Sequence, residues 1–78
     1  MEKKFMLTLH VSESELTSIA SFFYGRWIYF EKKRDATNSL RCSTMQYQIE
    51  CQMTKEQLEG EEYKAYKELN KKMAMMAD

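Results

Sequence analysis

Proline does not occur in the 78 residues, and glycine occurs only twice, at Gly25 and Gly60. No proline ring is there to interrupt an element, a composition that suits well-formed helices and strands alike. Neither glycine belongs to a phosphate-cradling loop. An excess of one charge is also missing, since 12 basic residues balance 12 acidic ones. A chain whose sole task is to grip a polyanion carries a basic surplus, so that class is disfavoured. Zero net charge also removes the repulsion that keeps copies apart. No apolar run approaches the roughly 20 residues that span a bilayer. The opening Met1-Glu2-Lys3-Lys4 leads into no apolar signal core and no small-residue cleavage site. The expected location is therefore cytoplasmic, with no membrane partner.

Metal-ligating and nucleophilic chemistry is scarce as well. Metal binding takes three or four converging ligands. The chain has one histidine, His10, and two cysteines, Cys42 and Cys51, nine residues apart and in no paired-ligand spacing. Both cysteines are expected as reduced thiols, with Cys51 facing the core. No serine stands in a nucleophile-elbow context. The expectation is a protein that is not an enzyme and holds no metal or cofactor.

What is present is apolar and aromatic: 44% hydrophobic and 13% aromatic residues, too many for a disordered chain. At 78 residues there is room for one domain, spanning 1–78. A domain so small buries only about 60% of its unfolded surface and commonly needs a staple or a second copy.

Local patterns divide the chain. Phe5, Leu7, Leu9 and Val11 alternate with polar partners over residues 5–11, the period of a half-buried strand. Ser12 with Glu15 three residues on is a capping box. Leu16, Ile19, Ala20 and Phe23 then recur at helical spacing until Gly25, a natural helix stop, which predicts a helix over 12–24. Residues 26–32 are aromatic and β-branched and read as a second strand, with Trp27 and Tyr29 on one face and Ile28 and Phe30 on the other. The polar stretch 33–39 reads as a hairpin loop. Met45, Tyr47, Ile49, Cys51 and Met53 alternate with polar residues in a third strand, joined to Leu40 and Cys42 through a bulge near Ser43. Thr54 and Gln57 form a second capping box and open a helix to about residue 77 that bends or restarts at Gly60. Tyr66, Leu69, Met73 and Met76 mark its apolar stripe. The predicted fold is α+β, in the order β-α-β-β-α: a three-stranded, mainly antiparallel sheet with both helices on one face.

Residues 22–30 concentrate the functional signal. Six of the nine are aromatic. In the predicted sheet Phe23, Ile28 and Phe30 enter the core. Phe22, Tyr24, Arg26, Trp27 and Tyr29 are surplus, and they are residue types that dominate binding hot spots. They are the candidate partner-binding set, and Trp27 and Tyr29 among them occupy a sheet face that no helix covers. The expected function is a non-enzymatic protein-binding module: an adaptor, inhibitor or regulatory subunit of phage or mobile-element type. It docks on a larger protein and forms a homodimer. The alternative partner is nucleic acid, held by Lys32, Lys33, Arg34 and Arg41 beside the same aromatics. The methionine-rich end, Met73 to Met76, serves either as a core-covering helix end or as a docking tip.

Overall fold

The computed structural model describes residues 2–5 and 8–77, and every regular element among them is helical. They are α1 (Glu13–Lys32), α2 (Ala36–Glu50), α3 (Lys55–Glu59) and α4 (Glu61–Met76). The α+β expectation is overturned. No strand occurs among the described residues, so there is no sheet and no sheet face for the aromatics to occupy. The first expected strand is an unpaired, exposed arm, of which Met6 and Leu7 lie outside the described residues.

α1 begins where the capping box sets it. The Ser12 hydroxyl accepts from the Glu15 amide at 3.1 Å, and the Ser12 amide donates to the Glu15 carboxylate at 2.9 Å. It does not stop at Gly25, which is buried in its middle. Leu16, Ile19, Phe23, Trp27 and Phe30 recur at spacings of three and four, so the helical stripe passes straight through the supposed second strand. The real stop is a Schellman turn. The Asp35 amide donates to the Phe30 carbonyl and the Arg34 amide to the Glu31 carbonyl, with Arg34 in the left-handed region at φ 58°. Asp35 also caps α2 by accepting from the Asn38 amide. One residue thus closes one helix and opens the next.

The third expected strand is α2, and no bulge interrupts it at Ser43. Met45, Ile49 and Met53 stand four apart, a spacing that alternation and a helix share. What α2 buries is Ser39, Cys42 and Ile49, a helical stripe disguised by its serine. The last expected helix restarts at Gly60, whose extended backbone (φ −75°, ψ 158°) separates α3 from α4. The Thr54 and Gln57 capping box opens α3 as its residues predict.

α1 is the spine of the molecule and packs along both α2 and α4, which touch each other little. The tight turn makes α2 antiparallel to α1. α4 is parallel to α1: Ser14 donates to Glu62 at one end and Lys32 reaches the Ala74 and Met75 carbonyls at the other. The α1/α4 seam is built from small residues, Thr17, Ser21 and Gly25, four apart. Asn70 sits in it, donating to Ser21 Oγ at 3.1 Å. A Cβ at Gly25 would lie 2.7 Å from Asn70 Cβ and 3.0 Å from its carbonyl oxygen. The side chains joined here are therefore polar and small, and they exclude the large apolar ones. α4 turns Tyr63, Asn70 and Ala74 toward α1, while its predicted core stripe faces outward at Leu69, Met73 and Met76.

The core proper is small: Ala20, Ile49, Met53 and Tyr63, with Leu16, Ile19 and Phe23 packed against it. The molecule is flat, 39 × 31 × 17 Å, with a radius of gyration of 13.1 Å. A compact chain of this length has about 11.5 Å.

Candidate interaction surface

The nine-residue aromatic stretch lies entirely on α1, so its side chains fan around a helix. Successive residues diverge by about 100° on a helix, and Trp27 and Tyr29 therefore do not share a face. The five candidate residues divide into two sets. Phe22, Arg26 and Tyr29 line a groove of about 230 Å³ between α1 and α4, floored by Gly25 and walled by Met73 and Ala77. Tyr24 and Trp27 point elsewhere and pair with each other, ring centroids 6.0 Å apart. Trp27 lines a groove of about 430 Å³ at the α1/α2 turn, with Phe30, Leu40 and Arg34.

Most of these rings are already engaged. The Arg26 guanidinium lies 4.6 Å from the Tyr29 ring centroid and 4.9 Å from that of Phe30. Lys67 covers Tyr24 at 5.5 Å and Tyr63 at 4.5 Å. Phe22 packs edge-on against Phe23 yet keeps 53% of its surface exposed. Leu40, in the Trp27 groove, keeps 67%.

The four cations of the alternative reading do not form one surface. The Lys32 ammonium donates to the Ala74, Met75 and Ala77 carbonyls and so satisfies the free end of α4. Lys33 lies 5.7 Å from the Tyr29 centroid, and Arg34 supplies the turn. Arg41 is exposed on α2, where its charge helps hold the Asp35 carboxyl low.

Three further groups bear on chemistry. Cys51, expected to face the core, is exposed, and Cys42 is the buried cysteine. Burial pushes the Cys42 thiol above its usual range. Nine helical residues separate the two by about 13.5 Å along the axis, too far for a disulfide. Tyr63 is 1% exposed and donates to the Glu50 carboxylate at 2.7 Å, with Gln46 donating to the Tyr63 hydroxyl at 3.3 Å. Burial first, then the bond to Glu50, drives the Tyr63 hydroxyl far above the ordinary tyrosine range. It is a structural tie between α2 and α4. Among the described residues, no group of three or more His, Cys, Asp or Glu side chains is placed to hold a metal ion.

A groove of about 740 Å³ runs between α1 and α2 under the N-terminal arm, lined mainly by Phe5, Leu9, Ile19, Phe23, Met45 and Ile49. Reading Phe5 and Leu9 as the core face of a strand hid this groove. Leu40 falls in a predicted strand, and Leu69, Met73 and Met76 fall on the predicted apolar stripe of the last helix. Their helical spacing was visible, but the choice of buried face was not. Among the described residues, no helix is long and apolar enough to cross a membrane. No family model matches the chain, and no curated protein or solved structure shows significant similarity to it.

Proposed function

We propose that this protein is a non-enzymatic binding module, an adaptor, inhibitor or regulatory subunit that docks on a larger protein. The observation that supports this is the inverted distribution of its apolar side chains. A handful form the core, while Phe22, Leu40, Tyr47, Leu69, Met73 and Met76 lie exposed. Isolated exposed apolar residues are ordinary; extended apolar patches mark interaction surfaces.

The docking site of this proposal is the groove at the α1/α2 turn. Trp27, Phe30 and Leu40 supply the apolar floor, and Arg34, Glu31 and Asp35 a charged rim. An aromatic centre within a polar rim is the usual anatomy of a protein interface. Trp27, the one tryptophan, also reports on the site.

Affinity capture from host lysate, with and without nuclease, tests this reading. One protein retained in both arms, and lost on Leu40→Glu, is the expected result. Leu40 is exposed, so that variant keeps its helical circular dichroism. Recovery that vanishes with nuclease transfers the function to nucleic acid. Capture unaffected by Leu40→Glu removes this groove as the site.

A further inference from the structure

The half of the molecule that carries the Trp27 groove is electropositive, although the chain as a whole is neutral. The end of α1, the start of α2 and the end of α4 meet there, the last held by the Lys32 bonds to the Ala74 and Met75 carbonyls. Residues 26–41 hold five cations, Arg26, Lys32, Lys33, Arg34 and Arg41, against two carboxylates, Glu31 and Asp35. Residues 67–78, across α1, add three cations, Lys67, Lys71 and Lys72, against Glu68 and Asp78. The helix dipoles oppose this surplus weakly. The C-terminal ends of α1 and α4 bring about half a negative charge each, and the N-terminal end of α2 about half a positive one. A correction of about −0.5 does not reverse eight cations set against four carboxylates.

The groove draws on that surplus through Arg34. Both carboxylates of its rim have donors of their own. Glu31 accepts from the Ser39 hydroxyl at 2.6 Å, and Asp35 accepts from the Asn38 side chain at 2.8 Å and the Asn38 amide at 3.2 Å. Lys32 is taken up by the α4 carbonyls, and Arg26 lies over the Tyr29 and Phe30 rings. Arg34 lines the groove, and among the described residues its guanidinium has no carboxylate in ion-pair range and no hydrogen-bond acceptor. Beside it lies the apolar floor of Trp27, Phe30 and the 67% exposed Leu40.

An unpaired guanidinium next to an exposed apolar floor fits a ligand with one carboxylate and one large apolar group. The guanidinium fork takes a carboxylate through two parallel bonds. A nucleic acid would lay a string of phosphates along this rim, and those flanking Arg34 would fall against Glu31 and Asp35. A peptide can place a single carboxylate between them. We infer that the groove receives an acidic peptide segment of the partner protein, with one carboxylate on Arg34 and a neighbouring apolar side chain against Trp27 and Leu40. This rests on the Trp27 groove being the docking site.

The test is selection from a random-peptide display library on the immobilised full chain, followed by anisotropy titration of the enriched peptides with a fluorescent label. Enriched peptides should carry an excess of Asp and Glu beside a large apolar residue. Arg34→Gly removes the guanidinium at a φ of 58° that glycine adopts freely, so helical circular dichroism should be unchanged. It should weaken binding about tenfold or more. Changing the peptide carboxylate to its amide should do the same, and the two changes together should cost little more than either alone. No enriched peptide, enrichment of neutral or basic peptides, or displacement of the peptide by oligothymidylate at comparable concentration would each overturn the inference. A peptide that is lost on Leu40→Glu but ignores Arg34→Gly keeps the groove as the docking site and removes the acidic partner. One that ignores both substitutions removes the groove as well.

Discussion

At the scale of single residues, Gly25 carries more information than its neighbours. Glycine inside a helix costs about 1 kcal/mol relative to alanine. Propensity alone therefore makes Gly25→Ala stabilising. The seam says otherwise, because the added methyl would meet Asn70 at 2.7 Å, including backbone that cannot swing away. Overpacking of this kind costs about 1–3 kcal/mol. The expected net effect is a loss of up to about 2 kcal/mol, read as a lower urea midpoint with an unchanged slope. A stabilised Gly25→Ala would mean the two helices can part at no cost. The same contact explains why Gly25 misleads in the sequence. A glycine placed for a neighbour in space looks identical to one placed for a turn.

At the scale of elements, the two beginnings marked by capping boxes and the end of the last helix were legible, whereas the end of α1 and the start of α2 were not. Both capping boxes open helices as their spacing indicates, because the interaction spans only three residues. The end of α1 depends on a left-handed residue, and here that residue is Arg34, with no glycine to announce it. The left-handed conformation costs a non-glycine residue about 1–2 kcal/mol. Arg34→Gly relieves it, offset in part by the freedom glycine gains when unfolded. Stabilisation of about 0.5–1 kcal/mol is expected, which raises Tm by several degrees in a domain of this size. A fall in Tm would show that the Arg34 side chain contributes more to the turn than its backbone costs.

At the scale of the whole molecule, two carboxylate caps tie stability to pH. Glu15 is held below its ordinary value of 4.5, first by its bond to the Ser12 backbone and then by the Ser12 side chain. Asp35 is held below 3.8 by the Asn38 side chain and backbone, in that order. Both are more acidic folded than unfolded, so their contribution is complete above the unfolded values. It is lost as pH falls through the lower, folded ones. The urea midpoint should therefore drop as pH is lowered from about 5 to 3. Glu15→Gln/Asp35→Asn, which keeps a neutral acceptor at each cap, should flatten that dependence. An unchanged slope would place the acid sensitivity elsewhere. Because the two caps open α1 and α2, and α1 contacts both α2 and α4, loss of either cap is felt by the whole spine.

What the order of residues dictated is local: two helix starts, the break at Gly60, the helical spacing of the α4 stripe, and a surplus of aromatic residues around Trp27. Alternation in residues 45–53 and the glycine at 25 each had two local readings, and only tertiary packing chose between them. It chose helices because α1, uninterrupted, offers a seam of Thr17, Ser21 and Gly25 that α4 can approach closely. That closeness admits Asn70 and Ala74 and turns Leu69, Met73 and Met76 outward. Which face of a helix is buried depends on the shape of what it meets, and the order of residues along one helix does not contain that shape.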